Sequence, residues 1–256
     1  VTVGVTAVND APTLTSSAPS SISVNEDSAP DTAVTLGLSS LTYSAGASNE
    51  SAQTLTYTIT SIPSTITLWK SDGTTQVVAT NTVTLTELQG LKYKTVANAN
   101  GTANLTWTVT DTGSSSLTQN LSIAIAPVND KPTLTAGGTL AYTENGSAAA
   151  IDTTISTITD SDSTNMASAT VTISAGLTTG DVLGFTDQNG ITGSYDSSTG
   201  VLTLSGTATK AMYVTALKSV TYASTSDTPT ATSSSRTISW VVDDGAPSLN
   251  TSNVVT

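Results

Sequence analysis

The chain has 256 residues, of which 37% are hydrophobic, only 4% aromatic and only 10% charged, and it carries no Cys and no His. That length suits one large domain or two of about 100–150 residues, and the missing residue types exclude disulfides, thiol nucleophiles, the usual zinc sites and the one side chain that titrates near neutrality. The formal charge of -12, from 19 acidic against 7 basic residues, repels nucleic acid and anionic membranes and suits cations instead.

Residues 1–8, Val1-Thr2-Val3-Gly4-Val5-Thr6-Ala7-Val8, have the form of the last strand of a preceding or neighbouring domain. The step that follows, Asn9-Asp10-Ala11-Pro12-Thr13-Leu14-Thr15, recurs as Asn129-Asp130-Lys131-Pro132-Thr133-Leu134-Thr135, differing only at Ala11 against Lys131. Val24-Asn25-Glu26 is echoed by Tyr142-Thr143-Glu144, and Trp107-Thr108-Val109-Thr110-Asp111 by Trp240-Val241-Val242-Asp243-Asp244. Two homologous domains follow, 9–128 and 129–256, joined near Val128 to Pro132.

Within each domain, stretches such as Leu55–Ile59, Leu105–Val109, Ala169–Ile173 and Ile238–Val242 alternate apolar and polar residues. That period of two puts the apolar groups on one face of a strand, and the abundance of Thr and Val fits it. Turn signals at Asp72-Gly73, Asn100-Gly101, Asn189-Gly190 and Thr199-Gly200 separate the stretches. The fold class is therefore all-β, two tandem Greek-key β-sandwich domains. Ala208 to Leu217 is the one plausible helical turn, with a loop before strand Ser219–Tyr222 as the alternative.

Trp107 and Trp240 lie within alternating strands and read as core, whereas Trp69, beside Lys70 and the Asp72-Gly73 turn, reads as the exposed aromatic. The second domain stops sooner after Asp244 than the first does after Asp111, so its final strand is expected to be incomplete. Residues 1–8 resemble Ser122–Val128 and have the form of the missing piece.

The acids gather at strand ends and in the linker, where oxygen ligands can converge on a hard cation; Ca²⁺ takes about six to eight oxygens, from carboxylates, Asn and backbone carbonyls. With the Asn-Asp-x-Pro linker and Asp160-Ser161-Asp162, the chain resembles the cadherin superfamily, in the bacterial cadherin-like form found in giant tandem-repeat surface adhesins. The resemblance covers nearly the whole chain and implies Ca²⁺ as cofactor at a site between domains. Carried over, its ligands are Glu26 and Glu87 from the first domain, Asn129 and Asp130 from the linker, then Asp160, Asp162 and Asp243 or Asp244, with Asp244 matching Asp111 in its distance from Trp. Leu85-Thr86-Glu87-Leu88 holds a single acid where the animal motif has two. A second, N-terminal site combines Asn9, Asp10 and Asp111, but the first domain has no paired acid where Ser44–Glu50 stands, so that site is expected to be weaker or to need a neighbouring domain.

No Ser or Thr has a visible His or Cys partner and no glycine loop carries a phosphate-binding lysine, so no enzyme is expected. No apolar run reaches the roughly 20 residues that cross a bilayer, and the N-terminus lacks signal-peptide character, so the chain reads as an internal piece of something exported to the bacterial cell surface. The scattered Asn-x-Ser/Thr triplets are what chance gives in so Ser- and Thr-rich a sequence. The leading expectation is a calcium-stiffened extension or adhesion module whose partners are neighbouring copies or repeats, head to tail. Alternatives are an adhesin domain binding surface glycans or proteins through loops such as Trp69–Thr75 or Thr186–Tyr195, and a filament subunit in which Val1–Val8 completes the next copy.

Overall fold

The computed structural model describes residues Val1–Thr256. It divides into two units, Val1–Val128 and Asn129–Thr256, each with its own core. Both are all-β, and no helix is long and apolar enough to cross a membrane.

The first unit runs β1 (Thr13–Leu14), β2 (Ile22–Asn25), β3 (Val34–Thr35), β4 (Tyr43–Ser44), β5 (Thr56–Ser61), β6 (Ile66–Trp69), β7 (Gln76–Val77), β8 (Thr82–Val83), helix α1 (Leu85–Gln89), β9 (Lys92–Thr95), β10 (Gly101–Thr110) and β11 (Ser116–Ala126). One sheet has the order β2-β11-β10-β5-β8 and a second β3-β9-β6-β7. β10 and β11 form a long antiparallel hairpin from Gly101↔Ile125 to Thr110↔Ser116, and β2 joins the far side of β11 in parallel. Alternation decides which groups face inward: Leu105, Trp107 and Val109 from β10 and Leu121, Ile123 and Ile125 from β11 are all buried in one core, with Leu105 directly opposite Leu121. The Trp107 indole N–H finds an acceptor inside this core, the Tyr43 hydroxyl, at 3.0 Å. Helix α1 forms behind a reciprocal cap in which the Thr84 hydroxyl accepts the Glu87 N–H and the Glu87 carboxylate accepts the Thr84 N–H.

The second unit continues with β12 (Thr133–Thr135), β13 (Ala149–Ala150), β14 (Thr157–Thr159), β15 (Asn165–Ala175), β16 (Asp181–Gly184), β17 (Thr192–Asp196), β18 (Val201–Thr209), helix α2 (Lys210–Lys218), β19 (Thr221–Ser224) and β20 (Thr237–Asp243). Its sheets are ordered β17-β18-β15-β20 and β13-β19-β16. Asn189 and Gly190 both adopt positive φ, 54° and 77°, and close a Gln188↔Ile191 bridge, the mirror-image two-residue turn that an Asn-Gly pair favours. The segment left open between helix and loop is helix α2: the Thr209 hydroxyl accepts the Met212 N–H as its cap, and Tyr213, Ala216 and Leu217 bury its inner side.

Two features interrupt the likeness of the units. β20, the counterpart of β10, lies at the edge of its sheet and meets residues 251–255 through the bridges Trp240↔Val255 and Asp243↔Thr251 and through the Ser252 N–H, which donates to the Val242 carbonyl at 2.9 Å. Residues 1–8 belong to no strand, and Val1, Val3, Val5 and Val8 stand exposed.

Candidate functional site

Each unit gathers its Asn-Asp step and its late Asp into one cluster. In the first, the Asn9 side-chain amide donates to Asp111 Oδ2 at 3.1 Å and to Ser115 Oγ at 2.7 Å, while its oxygen accepts from Gln53 at 2.6 Å. Asp111 is buried, and a local turn holds it: its Oδ1 accepts the Ser115 N–H at 3.0 Å. In the second, the Asn129 amide donates to Asp244 Oδ2 at 2.9 Å and to the Leu249 carbonyl at 3.1 Å. Of the two late acids, Asp244 meets the linker asparagine, whereas Asp243 accepts from Gly245 and Asn250 inside its own loop.

The backbone N–H of the linker aspartate also ends on a carboxylate in both units. Asp130 donates to Asp162 Oδ2 at 2.5 Å, and Asp10 donates to Glu50 Oε1 at 2.8 Å. Glu50 therefore takes in the first unit the place that Asp162 takes in the second. Sequence reasoning missed it because the segment lacks a paired acid, but Glu50 is the one acid in Ser44–Glu50, and that was the available signal. It sits at the end of the short 3₁₀ turn Ser48–Glu50 and is only 6% exposed. Its Oε2 lies against Gly46, at φ 139°, where an added Cβ would fall 2.1 Å from that oxygen. A side chain at Gly46 is excluded by this approach as well as by the backbone angle.

Both clusters contain a buried carboxylate oxygen with no hydrogen-bond partner: Glu50 Oε2 in the first and Asp160 Oδ2 in the second. Asp160 uses its other oxygen to accept the N–H groups of Asp162 and Ser163 at 2.9 and 2.7 Å. An unpaired buried carboxylate oxygen is costly, and a bound cation is one of the few groups that relieves it. No three acidic side chains stand together as a ready-made cage, so any ion would complete its shell with Asn and backbone oxygens. The donor set is all oxygen, which fits a hard cation and no soft metal.

The remaining carried-over acids have other partners. Glu26 is buried, and its Oε1 accepts the Val128 N–H at 2.8 Å, fixing the chain just ahead of Asn129. Glu87 is spent on the α1 cap and on Lys70, 2.7 Å from its Oε1, and the Lys70 ammonium with the Thr84 N–H holds its carboxyl down at about 2. It shares no partner with Glu26 or with either cluster.

Trp107 and Trp240 are core residues, at 0% and 2% exposure. Trp69, expected to be exposed, is half-buried, and the Lys94 ammonium lies 4.6 Å from its ring centroid and covers one face.

No protein-family model matches the chain, and no curated protein matches it. Solved structures that align with it include the extracellular cadherin domains 1–4 of protocadherin gamma B7 (11% identity, 96% of this chain and 49% of that one, TM-score 0.39). Domains 1–5 of protocadherin gamma B2 also align (14% identity, 96% and 38%, TM-score 0.37), as does the human desmocollin-1 ectodomain (15% identity, 91% and 41%, TM-score 0.26). The chain spans about half or less of the length of each of these three.

Proposed function

We propose that the chain is a calcium-stiffened extension and adhesion module of a large secreted bacterial surface protein, each unit taking up Ca²⁺ at its acidic cluster. One observation carries the reading: the two units build the same arrangement from different residues, and each leaves one buried carboxylate oxygen unpaired. No three of the acids stand together in the structure, so ion uptake would draw ligands in from Asn9, Asp10, Glu50 and Asp111 in the first unit and from Asn129, Asp130, Asp160, Asp162 and Asp244 in the second.

Calcium would supply positive charge to carboxylates that otherwise repel one another, and it would bind the Asn-Asp steps to the ends of the strands. Glu26 acts alongside by holding Val128, so the stretch 127–132 loses freedom when the ion arrives. The work of such a module is distance and orientation, and neither needs a reactive group. Subtilisin digestion of the whole chain tests this: calcium should slow cleavage within residues 127–132 at least about tenfold relative to chelator, and equal rates would contradict it.

A further inference from the structure

The two units build their acidic clusters on the same plan, and one difference between them involves a base. Asp160 and Asp162, two residues apart, correspond to Ser48 and Glu50 in the first unit, so the second cluster carries one more carboxylate. Helix α2, which follows β18 as α1 follows β8, opens on Lys210 behind its Thr209 cap, where α1 opens on Leu85 behind Thr84. The extra acid and the lysine occur in the same unit.

A lysine there opposes the helix's own electrostatics, because the N-terminus is the positive end of the dipole and cations belong at the other end, where Lys218 stands. Lys210 is engaged elsewhere. Its ammonium donates to the Asp160 carbonyl at 2.9 Å and its backbone N–H to the Thr164 carbonyl at 3.4 Å, so one residue grips both ends of the turn that carries Asp160 and Asp162. Inside that turn Asp160 Oδ1 accepts the Asp162 and Ser163 N–H groups, and Oδ2 stays buried without a partner. Lys210 is half-buried, and neither ion pair of the chain, Lys70–Glu87 or Arg236–Asp181, uses it. Its charge is left to offset the carboxylates of this cluster.

We infer that Lys210 is a resident cation of the second cluster: it holds the 160–164 turn in place without calcium and competes with calcium for it. The inference rests on calcium uptake at this cluster. Calcium accepts backbone carbonyls as ligands, so the Asp160 carbonyl serves either the ammonium or the ion. An ammonium that stays close repels a divalent ion as well. The first cluster, with Leu85 at the corresponding helix position, has no such substitute.

Calcium titration calorimetry on the full chain tests it, comparing the parent with Lys210→Met, which keeps an apolar stem and removes the charge and the donor. Asp160→Asn identifies the heat that belongs to the second cluster. A unit charge beside a divalent ion costs about tenfold in affinity even through water. Lys210→Met should therefore bind calcium at the second cluster at least about tenfold more tightly and leave the first cluster unchanged. Lys210→Gln, with a donor and no charge, should tighten binding likewise. In chelator the advantage reverses: amide exchange at Asp162 and Ser163 should be at least about tenfold faster in Lys210→Met than in the parent, and saturating calcium should erase that difference. A lysine that only braces the turn would instead give weaker calcium binding on removal and faster exchange in both conditions. That result, unchanged affinity in both variants, or equal exchange in chelator would overturn the inference and leave calcium binding standing; a parent that takes up no calcium would overturn it together with the reading on which it rests.

Discussion

Glu50→Gln separates a cation ligand from a merely structural acid, because its effect should change sign with calcium. In chelator, Glu50 Oε2 is buried without a partner while Oε1 holds the Asp10 N–H. Glutamine keeps a carbonyl oxygen for Asp10 and removes the uncompensated charge. Leaving a buried polar group unsatisfied costs about 1–3 kcal/mol, and more when it is charged. The variant should therefore be about 1–2 kcal/mol more stable than the parent in chelator, raising the melting temperature of the first unit by about 5 °C. In millimolar calcium the order should reverse: the parent gains about 2.7 kcal/mol at a hundredfold excess over its dissociation constant, whereas the variant gains little. Differential scanning calorimetry in both conditions resolves the two. A variant less stable than the parent in chelator that still responds fully to calcium would refute the reasoning.

Other outcomes follow from particular contacts. Asp152 is buried; burial raises its pKa, but hydrogen bonds from Gly137, Thr154 and Gly138 outweigh that and lower it from 3.8 to about 2. A folded pKa below the unfolded one means stability present above about pH 4 and lost as pH falls towards 2, so Asp152→Asn should remove about 2 kcal/mol at pH 7 and flatten the acid limb of a denaturation curve. Asp181→Ala leaves the Arg236 guanidinium, now 2.5 Å from the carboxylate, without its charge partner and strips the acceptor from the Tyr222 hydroxyl. A loss of about 3–5 kcal/mol in the second unit is expected by urea denaturation. Trp107→Ala should cost the first unit about 3–5 kcal/mol by the same measurement, since the ring is wholly buried and its N–H is bonded.

The fold was legible because its signals are local. Alternation in Leu105–Val109 and Ile238–Val242 marks the two core strands, and the repeated Asn-Asp-x-Pro-Thr-Leu-Thr marks the start of each sandwich. Helix α2 was harder: its small, mildly apolar residues fit helix or loop alike, and what decides it is the Thr209 cap together with a floor for Tyr213 and Leu217 that exists only once the sandwich has formed. At the cluster, the cadherin resemblance groups Asn9 with Asp111 and Asn129 with the late acids, and the repeat chooses Asp244 over Asp243. Glu50 could not be found that way, because one unit uses Asp162 and the other a longer side chain from a differently shaped turn, an equivalence that appears only in three dimensions. Glu87 lies where the resemblance puts an acid, and in the structure a capping box and Lys70 engage it.

Isothermal titration calorimetry of calcium into the full chain is the most direct measurement of the central claim. The account predicts saturable binding that millimolar magnesium barely competes with, because magnesium resists large flexible oxygen shells. It further predicts that Glu50→Gln and Asp160→Asn each remove a separable part of the heat. Absence of saturable calcium binding, or binding that both variants leave intact, would contradict it.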